Sequence, residues 1–328
     1  MAELLFPAGD VARIRFAVSP MWQLTTGYRL SASGAADPVH RRWLAQVRPR
    51  AAAAGLDRGW LAELVPPGAG YVPDFLNPAP AGPAPALDEE LAAIAATPAD
   101  RIRADLDHLR HHLGGAGPKA RALHADPAAR LPQLLREIET HWELAFAPYW
   151  PRIRALLEAD VFHRARQAAR HGTGHLLNTL HPQVSWDGSG LHLARRARTL
   201  ARHAAGGGLL LVPTAFKGPG LSTRISPPDP PQLAYRARGA GRLWEPRTTA
   251  ATEALAAVLG RARTRLLAEL DTPASTTELA RRTGLSAAHV SQNLTALREA
   301  GFVTSHRAGR TVLYARTEVA ETVLRAAR

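Results

Sequence analysis

The chain has 328 residues, more than one typical domain, so a single motif near one end leaves room for another domain or two. Its formal charge of +13 and isoelectric point near 11.2 favour a polyanionic partner, although Lys119 and Lys217 are the only lysines and a bias towards arginine and alanine is also what a GC-rich genome writes. No cysteine occurs, which excludes disulfides and thiolate metal sites; no run approaches the ~18–20 apolar residues that span a bilayer, and the first ten residues lack an export signal, so a cytoplasmic protein without membrane association is expected.

In chain order, residues 1–175 are expected to be helical. Val11 to Gly27 carries Ile14, Phe16, Val18, Trp22 and Leu24; Pro38 to Gly55, Leu56 to Leu64 and, after a proline-rich loop, Leu87 to Leu113 follow. Beyond a loop at Gly114 to Pro118, Pro127 to Phe146 and Pro151 to His171 form a second amphipathic set. The texture then changes. Gln183 to Leu193 has the pattern of a hairpin turning at Asp187-Gly188, and Gly208 to Phe216, Ser222 to Ser226 and Gln232 to Arg238 have the pattern of short strands. Residues 181–240 are therefore strand-rich, and residues 1–245 are expected to form an α+β, mostly helical domain.

All seven tryptophans, Trp22, Trp43, Trp60, Trp142, Trp150, Trp186 and Trp244, fall in this domain. Their ordinary job is packing, but large aromatics also line small-molecule pockets. The domain is expected to sense an effector, whose contact residues the sequence does not name, or to mediate assembly. Asp105, His108 and His112 share a helix face, and His171 and His175 stand four apart. Solvated histidines at a helix end account for the first group, and Gly172 and Gly174 argue against a helix at the second, so no metal is expected. A nucleophile elbow, a dinucleotide fingerprint and a zinc-hydrolase helix are missing, and Gly206-Gly207-Gly208 precedes a strand rather than opening a helix. Neither catalysis nor a cofactor is expected.

The C-terminal region is the most ordered in pattern. Thr249 to Leu270 places Leu255, Val258, Leu259, Leu266, Leu267 and Leu270 on a helical period. Ser275 and Glu278 have capping-box spacing, so a helix begins near Thr276, with Leu279 and Ala280 inward and Gly284 at its end. Ser286 can cap a second helix whose Val290, Leu294 and Leu297 line one stripe; Ala288, Gln292, Thr295 and Glu299 point away from it, flanked by His289, Ser291 and Arg298. Small and polar residues in the early turns suit a helix that enters the major groove, with Gln292 the best candidate to read adenine N7 and N6. After Gly301 the period drops to two on either side of Ala308-Gly309, a hairpin whose tip arginines, Arg307 and Arg310, could meet phosphate or the minor groove. A solvated helix face and solvated turn arginines remain the plain alternatives. Thr317 to Arg328 adds Val319, Val323 and Leu324 on a last helix.

Thr277-Glu278-Leu279-Ala280, Leu285-Ser286, Val290-Ser291, Leu297-Arg298-Glu299-Ala300-Gly301-Phe302-Val303 and Gly309-Arg310-Thr311-Val312-Leu313-Tyr314 resemble an ArsR-type winged helix-turn-helix regulator over about residues 248–328. The resemblance implies a DNA-binding transcriptional regulator, more often a repressor. It also implies dimerisation through the helices flanking the motif, with two recognition helices on one double-stranded operator. The region ahead, including residues 13–22 and 209–216, is similar to an uncharacterised domain fused to such winged helices in high-GC bacterial regulators. Residues 246–328 are thus expected to bind DNA and dimerise, with Ser286, Ala288, His289, Ser291, Gln292, Thr295, Arg298, Arg307 and Arg310 as candidate contacts. A DNA-binding architectural or protein-interaction regulator without a ligand is the alternative.

Overall fold

The computed structural model describes residues 2–5, 13–34, 37–188, 190–194, 202–203, 207–244, 250–270, 273–308 and 311–326. The fold is α+β and mostly helical, as its pattern predicts. Two compact units form: Met1–Ala35, Asp57–Glu137 and Leu156–Ala240 make up the first, and Ala36–Leu56, Ile138–Ala155 and Gly241–Arg328 the second. The second unit thus gathers two short stretches of the N-terminal sequence with the C-terminal residues.

In the first unit a mixed sheet has the order β2 (Ile14–Phe16), β6 (Leu209–Thr214), β8 (Gln232–Arg236) and β7 (Ser222–Arg224). β2, β6 and β8 run parallel, and β7 is antiparallel to β8. A second sheet has the order β3 (Val184–Trp186), β4 (Gly190–Leu193), β1 (Ala2–Leu5) and β5 (Arg202–His203). The hairpin expected at Gln183 to Leu193 is β3–β4, with Gly188 at φ 102° in its turn. Every residue of β6 is buried, which is why it has no polar alternation. Around it Leu176, Leu177, Leu191, Leu233 and Tyr235 form the core.

The helices of this unit depart from the sequence expectation at four points. The helix expected over Val11 to Gly27 is a strand followed by a helix: Ile14 and Phe16 alternate with the exposed Arg13 and Arg15 and pair with Leu209 and Leu211, and α1 (Pro20–Ala32) begins where Ser19 Oγ accepts the Trp22 amide at 3.1 Å. The second unit's α2 (Arg41–Ala53) and the first unit's α3 (Trp60–Leu64) follow the sequence expectation. The single helix expected over Leu87 to Leu113 is two, α4 (Leu87–Ala95) and α5 (Ala99–Leu113), because Pro98 has no amide hydrogen and turns Thr97 away from helical backbone. A helix that the sequence did not suggest, α6 (Pro118–Ala125), starts on a proline at its first position. Then come α7 (Pro127–Ala145), α8 (Trp150–His171) and α9 (Thr173–Leu180). α9 is the fourth departure: Gly172, at φ 81°, parts it from α8 as its glycine suggests, but Gly174 lies inside a helix that the sequence argued against, and His171 and His175 stand on the two helices with ring centroids 4.9 Å apart.

In the second unit, α10 (Ala250–Leu259) and α11 (Arg261–Glu269) replace the one helix expected over Thr249 to Leu270. Gly260 breaks it with φ 86° and ψ 148°, a conformation closed to side-chain-bearing residues. α12 (Thr276–Thr283), α13 (Ala287–Glu299), β9 (Val303–Ala308), β10 (Thr311–Arg316) and α14 (Glu318–Ala326) complete it. Its core is Leu266, Leu267, Leu279, Val290, Leu294 and Ala320 with their neighbours. The joined stretches supply aromatic packing: Trp43 donates to the Ala145 carbonyl at 2.8 Å, Trp244 to His40 Nδ1 at 2.9 Å, and Trp142 stacks on Phe146. The turn Ala147–Tyr149 lies against β9 and β10, and Arg154 pairs with Glu318 of α14 at 2.8 Å.

Candidate nucleic-acid interface

Three local features place α12 and α13. Ser275 Oγ accepts the Glu278 amide at 3.2 Å, Gly284 ends α12 in left-handed backbone at φ 69°, and Ser286 Oγ accepts the His289 amide at 3.2 Å. Replacing Ser275 with Ala is expected to cost ~1 kcal/mol in urea denaturation, the ordinary value of a lost N-cap, and no measurable cost would show that the bond is idle.

Val290, Leu294 and Leu297 are buried at 0, 0 and 2 % exposure, which fixes the rotation of α13. Ala288, His289, Ser291, Gln292, Thr295 and Arg298 are all exposed on its other side, as is Ser286 at its start. Ser286 has a structural duty as cap, whereas Arg298 has no ion pair among the described residues. The Glu278 carboxylate, held down at about 2 by hydrogen bonds from Arg281 and Arg282, takes both arginines at 2.8 Å and reduces their availability for phosphate.

β9 and β10 pair antiparallel from Val303↔Arg316 to Ala308↔Thr311. Leu313 and Ala315 are buried under them, and Arg307 is exposed near the tip. Arg310 lies outside the described residues. Ala274 makes two backbone bonds to Tyr314, at 3.1 and 2.9 Å, and so adds a third short rung to the hairpin that no sequence period announces. A single residue has no alternation to detect. The exposed Arg261, Arg263 and Arg265 of α11 add positive charge that motif reading also passed over.

In the first unit, Asp105 is buried and accepts the Phe75 amide at 2.8 Å and the Tyr71 hydroxyl at 3.1 Å, while His108 and His112 pack on the Tyr71 ring. The trio is thus tied to packing. Trp22 donates to Gln232 Oε1 at 2.7 Å inside the core. Cavities among the described residues of this unit include one of about 250 Å³ between α5 and α6, lined by Leu106, Leu109, Leu113, Ala120 and Arg121 among others, and one of about 170 Å³ beside Arg101 and Arg224. Neither is lined by a tryptophan, so the expected association of tryptophans with a pocket does not hold for these two.

Two capped helices joined by a short turn, followed by a hairpin, make a winged helix-turn-helix, the arrangement DNA-binding transcription regulators use. Residues 261–306 match the family described as a helix-turn-helix domain, and residues 106–241 match a family of unknown function, DUF5937. The chain therefore carries an ArsR-type helix-turn-helix preceded by a domain of unknown function, the architecture that its motifs suggest. No curated protein and no solved structure matches the chain. No helix among the described residues is long and apolar enough to cross a membrane.

Proposed function

We propose that this protein is a sequence-specific transcriptional regulator, a homodimeric repressor in which residues 246–328 bind the operator and dimerise and residues 1–245 sense a small molecule or mediate assembly. The carrying observation is the exposed polar face of α13, opposite the buried stripe Val290, Leu294 and Leu297. A slim N-terminal half with Ala288 and Ser291 fits the major groove, Gln292 is the base reader, and Arg298, Arg307 and Arg310 meet phosphates. For dimerisation, α10 packs on α14, and Val258 and Val319 on these helices are 80 and 53 % exposed, an apolar surface that a second copy would cover.

Gln292→Ala should lose ~1–3 kcal/mol of discrimination at one base position, whereas Arg310→Ala should weaken all duplexes alike and lower the salt slope by about one ion. Fluorescence anisotropy across a panel of operator variants and salt concentrations separates the two. Equal, sequence-independent weakening by both changes would remove Gln292 as reader.

A further inference from the structure

The pairing of β9 with β10 assigns the two faces of the wing hairpin. Val303 and Tyr314 lie on one face, in the core with Leu279, Val290 and Leu294, and Arg316 on that face reaches the Leu267 and Ala268 carbonyls. Leu313 and Ala315 alternate with them and so point from the other face, beside their cross-strand neighbours His306 and Thr304. A hairpin packed on one face ordinarily gives its other face to water. Here Leu313 is 4 % and Ala315 1 % exposed. Thr304 is exposed and His306 half-buried, so the outer face is covered over β10 more than over β9.

The covering stretch comes from far back in the sequence. The turn Ala147–Tyr149 lies against both strands, with Pro148 and Tyr149 buried. Tyr149 donates its hydroxyl to Gln46 Oε1 of α2 at 2.6 Å and sets its ring edge-on to Trp244, so the turn is itself anchored. One turn into α8, Arg154 pairs with Glu318, two residues beyond the end of β10. The hairpin is thus held at its outer face and at its base, while Arg307, Thr311 and Val312 near the tip are exposed. We propose that Pro148 and Tyr149 are positioning residues for DNA binding, which hold the wing by its outer face so that its tip is presented to phosphate. A wing ordered before the encounter loses less freedom on binding, which raises affinity without a new contact to DNA. The proposal rests on the DNA-binding reading above and extends it to a segment outside the helix-turn-helix.

The chain has no cysteine, so a single introduced thiol reports on the contact. In the full chain, the thiol of Ala315→Cys should react slowly with iodoacetamide, and at least about tenfold faster when Pro148→Gly is added. Ala274→Cys, a 2 % exposed position paired with Tyr314, should keep its slow rate with Pro148→Gly, which reads the rest of the domain as intact. If it does not, Tyr149→Phe, which removes the hydroxyl bonded to Gln46, must accelerate Ala315→Cys alone. On operator DNA, Pro148→Gly should weaken binding about threefold or more and lower the salt slope by about one, with base preference unchanged. In a chain carrying Arg307→Ala and Arg310→Ala it should have no further effect, because no tip arginine is left to position. An unaccelerated Ala315→Cys thiol, an unchanged operator affinity, or equal weakening without the tip arginines would each overturn the proposal. The thiol measurement contains no DNA. Acceleration without any duplex binding by the parent chain would therefore refute the regulator reading itself, whereas duplex binding without acceleration would refute the turn's role alone.

Discussion

Arg316→Ala is expected to cost the winged-helix unit ~3–5 kcal/mol, a large part of the ~5–15 kcal/mol that holds a typical domain together. The Arg316 side chain is 3 % exposed at the end of β10. Its Nε donates to the Leu267 carbonyl at 2.5 Å and Nη2 to the Ala268 carbonyl at 2.6 Å, so it satisfies the last turn of α11, whose carbonyls have no helical partner. Nη1 faces Glu321 Oε1 at 3.4 Å, and that carboxylate is 2 % exposed. Removing the arginine therefore takes a positive charge away from a buried carboxylate and leaves a helix end uncapped in one step. Replacing both partners by Arg316→Met and Glu321→Leu should recover most of the loss, because a buried pair exchanged for apolar packing is often neutral. Urea denaturation of the single and double variants reads both; a single-variant cost under ~1 kcal/mol would mean that water reaches the pair.

Glu90→Gln should stabilise the first unit at pH 8 by about 3 kcal/mol and leave it nearly unchanged at pH 4.5. Glu90 is 2 % exposed and accepts the Met21 amide at the start of α1 at 2.7 Å. Burial pushes its carboxyl up to about 7, against the pull of the Ser19 and Met21 hydrogen bonds. Between about 4.5 and 7 the folded chain holds a proton that the unfolded chain has released, so stability falls as pH rises through that window and is level above it. A shift from 4.5 to about 7 corresponds to about 3 kcal/mol, which glutamine, neutral at every pH, does not lose. His141, fully buried with its imidazole pushed down to about 4, contributes the opposite slope between about 4 and 6.5. Comparing variant and parent at each pH cancels it. Parallel stability curves for the two proteins would contradict a proton on Glu90.

The helix-turn-helix was legible because its signals are local. Ser275, Gly284 and Ser286 each act within four residues of their own position, and the Val290, Leu294 and Leu297 stripe is visible in one helix. The strand β2, whose partner lies far along the chain, was not, whereas β6, β7 and β8 were. Ile14, Val18 and Trp22 fit a helical spacing as well as Ile14 and Phe16 fit an alternating one, and β6, which decides between them, lies nearly two hundred residues further along. The cluster of Arg101, Arg224 and Asp229 had no motif at all, since a crossing of α5 with the β7–β8 loop brings it together. Nor does any spacing announce that 36–56 and 138–155 join the C-terminal residues in one compact unit, which the packing of Trp43, Trp142 and Trp244 produces. Among the candidate DNA contacts, exposure was legible from helix rotation alone, because the buried stripe leaves only one face of α13 for solvent.

Selection of bound duplexes from a random library by the full chain, followed by sequencing, tests the central claim most directly. Two winged helices on one operator predict an enriched inverted repeat with half-sites about 10 bp apart, or a multiple of it, and loss of preference at one position of each half-site with Gln292→Ala. Recovery of unenriched sequence, or of a motif that Gln292→Ala leaves intact, would contradict it.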